Sequence, residues 1–174
     1  MTALTASPRP SASRSAVALV LFIAISFAVA GAGSLATFQN VDGWYAEADK
    51  AFWTPPNIVF GPVWTVLYTL MSVAAWLVWR QPDSPARRRA LGVYVAQLAL
   101  NAIWTPVFFG LYPVAGVAAL WVALVIIAAL DVMVLVTMLA FWPVRRLAAV
   151  LLIPYWAWVL YATTLNAALA VLNP

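Results

Sequence analysis

The side chains able to do chemistry in this chain are aromatic rings and a few amides. Its 174 residues include ten tryptophans, six tyrosines and eight phenylalanines, with no cysteine and no histidine. That excludes disulfides, thiolate metal sites, imidazole ligation of zinc or haem, and the usual proton carrier near neutral pH. Indoles and phenols grouped in an apolar cleft can instead stack on a flat ligand, while an N–H or O–H orients it. Three groupings have helical spacing. Trp64 and Tyr68 are four apart; Asn101, Trp104 and Phe108 are spaced i, i+3, i+7; Trp158, Ala162, Leu165 and Asn166 are spaced i, i+4, i+7, i+8. Each set shares one face of its helix. Two readings stand side by side: the amides bridge helices in a dry aromatic core, or the three faces wall a ligand cavity. Ala162, small among bulky neighbours, leaves room and favours the cavity. No general acid/base pair or activated nucleophile accompanies these residues, so the chain reads as a binding protein before it reads as an enzyme.

The elements that must hold these faces are membrane helices. Apolar residues make up 66% of the chain and charged residues only 8%, against roughly 25% charged in soluble domains; mean hydropathy is +0.97. A soluble enzyme, a disordered tail and a nucleic-acid binder are excluded, the last because no dense basic patch exists despite the net charge of +4. Crossing the hydrocarbon core takes roughly 20 apolar residues. The charge-free stretches predict five spans, at about 16–37, 61–79, 90–109, 114–141 and 144–172, with a polar extension over 1–15 and a lid-like loop over 38–60. Gly110-Leu111-Tyr112-Pro113 divides the third span from the fourth. Period-two alternation is lacking, which disfavours a membrane barrel. The expected fold is an all-α bundle of five transmembrane helices forming a single domain.

Orientation follows from the bases. Of the nine Lys/Arg residues, Arg9, Arg14, Arg80, Arg87, Arg88, Arg89, Arg145 and Arg146 fall on one side and Lys50 alone on the other, beside Asp42, Glu47 and Asp49. In a bacterial cell membrane this bias places the amino terminus inside and the carboxyl terminus and long loop outside. Arg9 and Arg14 ahead of an apolar stretch ending at Ala30-Gly31-Ala32 also allow a secretory signal peptide, although the apolar run continues past that point. Trp79 and Trp142, each near an arginine at a span end, read as interfacial anchors. Trp158 lies 13 residues past Arg145, about 20 Å along a helix and near mid-bilayer. Asp131 is the only acid within a span, either a functional carboxyl or one hydrogen-bonded between helices. Small residues at i, i+4, as in Ala30 with Ser34 and Ala115 with Ala119, offer helix or dimer contacts.

Three blocks of sequence carry a family resemblance. They are Trp44-Tyr45-Ala46 with Trp53-Thr54-Pro55-Pro56 and Phe60-Gly61-Pro62-Val63-Trp64-Thr65-Val66-Leu67-Tyr68; the stretch from Gln97 through Asn101-Ala102-Ile103-Trp104-Thr105-Pro106 to Gly110; and Pro154-Tyr155-Trp156-Ala157-Trp158 through Ala162 to Leu165-Asn166. In this order the chain resembles the tryptophan-rich sensory protein / translocator protein family (TspO/MBR, the peripheral-type benzodiazepine receptor family). The resemblance implies a five-helix bundle, often a homodimer. Its pocket binds tetrapyrroles such as protoporphyrin IX and, in some members, sterols and benzodiazepine-type drugs. Carried over by motif, the ligand-binding residues are Trp64, Tyr68, Asn101, Trp104, Phe108, Trp158, Ala162, Leu165 and Asn166, with Trp44 and Trp53 in a lid. The implied role is regulation or transport in tetrapyrrole or stress homeostasis. The alternative is light-dependent porphyrin degradation with Trp64 and Trp158 as the reactive groups. No metal and no required cofactor is implied; a porphyrin is the ligand, and its carboxylates would sit at a wet rim where Lys50 is the only base. Ala51 stands after Lys50 where the family has proline, and Ala167 follows Asn166 where animal members have tyrosine, so the sterol site of those members is not carried over.

Overall fold

The computed structural model describes residues 10–174; the first nine residues, with Arg9 and most of the extension expected over 1–15, lie outside the described residues. The helices are α1 (Ala12–Phe38), α2 (Trp44–Glu47), α3 (Asn57–Trp79), α4 (Pro85–Thr105, continued by a π-helical turn Pro106–Gly110), α5 (Tyr112–Ala115), α6 (Val117–Phe141), α7 (Arg146–Leu151) and α8 (Ile153–Leu172). Among the described residues there is no strand. In hydrocarbon a backbone must satisfy its own N–H and C=O groups, which a chain this apolar does by helix formation. Five stretches are long and apolar enough to span: Ala12–Phe38, Asn57–Trp79, Pro85–Gly110, Val117–Phe141 and Arg146–Leu172. The molecule is an all-α, multi-pass integral membrane protein.

Several boundaries differ from the sequence reading, each for a local reason. α1 begins at Ala12, four residues before the expected start, with the Ser11 side chain accepting from the Arg14 N–H. α3 begins at Asn57, directly after Pro56, so the loop between the first two spans covers 39–56 and itself contains α2. Pro62 lies inside α3, where its missing N–H leaves the Ile58 carbonyl without its i+4 donor. Ser84 and Pro85 start α4 as cap and first residue, Ser84 accepting from the Arg87 N–H. Pro106 cannot donate to the preceding turn, and the helix widens into the π turn there. The fourth span starts at Val117, not Val114, because Gly116 adopts φ +57°, ψ −142° and separates α5 from α6. Pro154 similarly divides the last span into α7 and α8 at Leu152.

The spans form a ring. α1 packs on α3, α3 on α7 and α8, these on α6, α6 on α4, and α4 back on α1. At the end opposite the long loop, α1 is fastened to α3 by the Trp76 indole N–H donating to the Ser15 carbonyl (2.8 Å) and by Ser72 donating to Ser26 (2.9 Å).

Candidate functional site

Beneath the long loop the ring encloses a cavity of about 650 Å³, within the range typical of small-molecule pockets. Its aromatic walls come mainly from three spans, with Phe27 and Phe38 added from α1. α3 supplies Phe60, Trp64 and Tyr68, α4 supplies Trp104 and Phe108, and α8 supplies Trp158 with Ala162 and Leu165. The rings brace one another: Trp64 lies 5.4 Å from Tyr68, Trp104 5.3 Å from Phe108, and Phe60 meets Trp158 edge-on at 5.8 Å between centroids. Among the described residues no group of three metal-ligating acids or imidazoles exists.

The two amides hold this arrangement from different positions. Asn166 lines the cavity, accepts from the Trp104 indole N–H (3.2 Å) and donates to the Leu120 carbonyl (2.9 Å), tying α8 to α4 and α6. Asn101 is not part of the lining. It sits just below, accepting from the Tyr68 hydroxyl at 2.6 Å and donating to the Tyr155 hydroxyl at 3.1 Å, and Tyr155 in turn donates to Gln97 at 3.1 Å. This chain of donors joins α3, α4 and α8 and closes the cavity floor. Trp158 contributes a buried indole N–H that meets no acceptor, as does the Gln97 amide nitrogen below the floor.

Trp44 and Trp53 do not line the cavity; both fasten the loop that roofs it. The Trp44 indole donates to the Phe109 carbonyl (3.1 Å) and stacks on Tyr112 at 3.9 Å. Helical pairing would bring that carbonyl the N–H of residue 113, which is proline, so the acceptor is free for the indole. Trp53 donates to Thr164 (3.3 Å) and receives the Tyr161 hydroxyl on its carbonyl (2.6 Å). Asn173 completes the fastening by pairing with both backbone groups of Asp49 at 2.9 and 3.0 Å. Tyr45, on α2, turns inward as part of the roof, and its burial pushes the phenol above its ordinary pKa. Lys50, the base expected at the rim, is not in the lining. It donates to the Ala46 and Ala48 carbonyls and covers the Tyr45 ring at 4.9 Å, while the charged side chain on the rim is Asp42.

Thus Trp64, Tyr68, Trp104, Phe108, Trp158, Ala162, Leu165 and Asn166 come together around one space, and Trp44, Trp53 and Asn101 support it from outside. The sequence reading missed Phe60, Leu169 and the first span. Phe60 continues the Trp64–Tyr68 stripe one turn earlier, and Leu169 continues the Ala162–Leu165 stripe one turn later, so periodicity alone could have found both. From α1, Phe27, Thr37 and Phe38 also line the cavity together with Ala30, Gly31, Gly33 and Ser34; the last four are marked only by small size. Asp131 lies apart, one carboxylate oxygen 2.7 Å from the Thr163 hydroxyl and the other buried without a partner.

Residues 20–172 match the TspO/MBR family. The chain is 40% identical over 159 residues to the tryptophan-rich protein TspO of Archaeoglobus fulgidus, covering 89% of this chain and 96% of that one. It is 38% identical over 146 residues to the tryptophan-rich sensory protein of Cereibacter sphaeroides (84% and 87% covered). The human translocator protein is 41% identical over 125 residues (71% and 70% covered).

Proposed function

The chain belongs to the TspO/MBR family, and from that premise we propose that it binds tetrapyrroles of the protoporphyrin IX type, and related apolar ligands, within the membrane. The role is regulation or transport in tetrapyrrole or stress homeostasis. The observation that carries this reading is the cavity of about 650 Å³ walled by indole, phenol and phenyl groups on three spans. A flat macrocycle gains from stacking against such walls. Its carboxylates stay in water at the roof; Lys50, folded onto the Ala46 and Ala48 carbonyls, does not line the cavity. Without histidine or cysteine, the ligand is held by its faces rather than through a metal.

The test is saturable quenching of tryptophan fluorescence by protoporphyrin IX in detergent-solubilised protein. Ala162→Phe, which fills the cavity, and Trp158→Ala, which removes a wall, should each weaken binding at least tenfold. Quenching that does not saturate, or that neither variant alters, overturns the reading.

One observation favours a second activity. Trp64 and Trp158 both line the cavity, and indoles beside an excited macrocycle can donate electrons. Light-dependent consumption of bound protoporphyrin, with a new product lost in Trp64→Phe or Trp158→Phe, would mark an enzyme; unchanged pigment after illumination would remove this reading.

For orientation, Arg14, Arg80, Arg87, Arg88, Arg89, Arg145 and Arg146 all sit at the end away from the roof. This supports an amino terminus inside and the roof outside the cell membrane. Cysteine labelling at Phe52, 95% exposed in the roof loop, reads the side directly in a chain without native cysteine. A homodimer formed in the bilayer completes the proposal, and cross-linking in native membranes tests it.

A further inference from the structure

The cavity has a second boundary besides its roof, and the two are built differently. The roof is hydrogen-bonded to the bundle on the α4 and α8 sides, through Trp44 to Phe109, Trp53 to Thr164 and Asn173 to Asp49. On the remaining side, between α1 and α3, no such fastening is found among the described residues. The hydrogen bonds from α1 to α3 all lie in the far half: Trp76 to Ser15, and Ser72 to Ser26 and to the Phe22 carbonyl. Nearer the roof, Ser34 and Thr65 face the cavity, but each donates to its own helix, at the Ala30 and Gly61 carbonyls, and not across the gap.

Gly31 on α1 and Gly61 on α3 stand at this gap. Both line the cavity and both are exposed. A Cβ added at either would meet no atom within 4 Å, whereas at Gly33, buried two residues along α1, it would lie 3.3 Å from Thr105. The cavity lining on either side of Gly31 and Gly61 is apolar and open, with Phe38 on α1 76% and Ile58 on α3 81% exposed. That surface faces lipid, because both helices are spans. The exposed lining on this side thus includes both glycines, whereas the roof is tied to the bundle on the α4 and α8 sides.

We propose that the gap between α1 and α3 is a lateral portal, and that the ligand passes between the cavity and the lipid leaflet through it rather than through the roof. Gly31 and Gly61 form its threshold. The class of ligand this admits is a lipid-dissolved, largely apolar molecule that partitions into the bilayer before it binds. The proposal rests on the cavity being the ligand site, as inferred above.

The experiment measures exchange rates. Protein in phosphatidylcholine vesicles is mixed by stopped flow with vesicles carrying protoporphyrin IX, and tryptophan quenching is followed in both directions. Gly31→Leu and Gly61→Leu add bulk at the threshold where the structure leaves space. Association and dissociation should both slow at least tenfold, by similar factors, because a threshold changes a barrier and not a resting state. Asn173→Ala, which releases the roof from the end of α8, should leave both rates within about twofold. Wild-type rates in the glycine variants, with acceleration on unfastening the roof, would overturn the portal in favour of the roof. A rise in Kd at an unchanged association rate would make the two glycines part of the seat, and would equally overturn it. These outcomes require saturable quenching. Its absence in the unmodified protein defeats the binding reading itself, and the portal with it, and so is separable from a failure of the portal alone.

Discussion

Asn101→Leu should weaken porphyrin binding although Asn101 does not touch the cavity. The residue is 1% exposed, accepts from Tyr68 at 2.6 Å and donates to Tyr155 at 3.1 Å. Leucine keeps much of the shape and removes both bonds. Tyr155 retains Gln97 as acceptor, but the Tyr68 hydroxyl loses its acceptor inside the bundle. Interhelical hydrogen bonds in membranes average about 0.6 kcal/mol and reach about 1.7, and an unsatisfied buried hydroxyl costs about 1–3 kcal/mol. The expected loss of stability is therefore about 2 kcal/mol. Tyr68→Phe breaks one of these bonds and strands the Asn101 oxygen, for about 1–2 kcal/mol. The double variant loses their shared bond only once, so the two costs should fall short of additive by about 1 kcal/mol. Reversible unfolding in mixed micelles with increasing dodecyl sulfate measures this cycle. Since the Tyr68 ring is cavity wall, freeing it should raise the Kd for protoporphyrin about three- to tenfold, or ~0.7–1.4 kcal/mol. Strict additivity, or a wild-type Kd in Asn101→Leu, would refute the view that this amide positions the wall.

Three further outcomes follow from the same geometry. Asn166→Leu strands the buried Trp104 indole N–H and should cost about 1–3 kcal/mol; adding Trp104→Phe should restore part of it, which the same unfolding assay reads. Gly33→Leu drives side chain into Thr105, 3.3 Å from the position of a Cβ, and should destabilise by about 1–3 kcal/mol through overpacking, whereas Gly31→Leu should be close to neutral. The Tyr45 phenol is raised by burial, so the folded roof retains a proton that an open roof releases. Its contribution is complete below the ordinary tyrosine pKa of about 10 and fades as pH climbs through the raised value. Thermal stability should thus fall more steeply between pH 9 and 11 than in Tyr45→Phe, and parallel curves would contradict it.

Much of this site could be read in the sequence because helical period fixes which residues share a face. Trp64 with Tyr68, Trp104 with Phe108, and Trp158 with Ala162 and Leu165 needed only inward-facing helices to meet. The relative height of neighbouring spans has no such signature. Asn101 and Asn166 look equivalent as lone amides at membrane depth, yet one closes the floor and the other lines the wall. Trp44 and Trp53 were legible as loop residues but not as fasteners, because their acceptors lie 65 and 111 residues away. Lys50 was placed by its charge at a rim, but its stem lets the ammonium fold back onto loop carbonyls. The first span brings two aromatics, Phe27 and Phe38, to the cavity eleven residues apart, and the small residues between them announce a space only once the opposite wall is known.

Those small residues and the few polar pairs together explain why the bundle is hollow at one end. In a bilayer, apolar side chains gain little by leaving lipid for another helix, so close packing and hydrogen bonds decide which faces close. Away from the roof, Ser15, Ser26, Ser72 and Tyr94 draw α1 against α3 and α4. Toward the roof, the α1 hydroxyls are spent on their own helix, Ser34 on Ala30 and Thr37 on Gly33, and the Asn40 amide just beyond its end turns back to Ala36. Nothing polar pulls α1 inward there, and Gly31 offers no side chain to fill the gap. The opposite wall is rigid because Asn166 crosslinks α4, α6 and α8. A cavity with one fixed aromatic wall and one loosely apposed small-residue wall follows from where this sequence puts its hydrogen-bonding groups. Adding one on this face, as in Gly31→Asn, should draw the helices together and shrink the site.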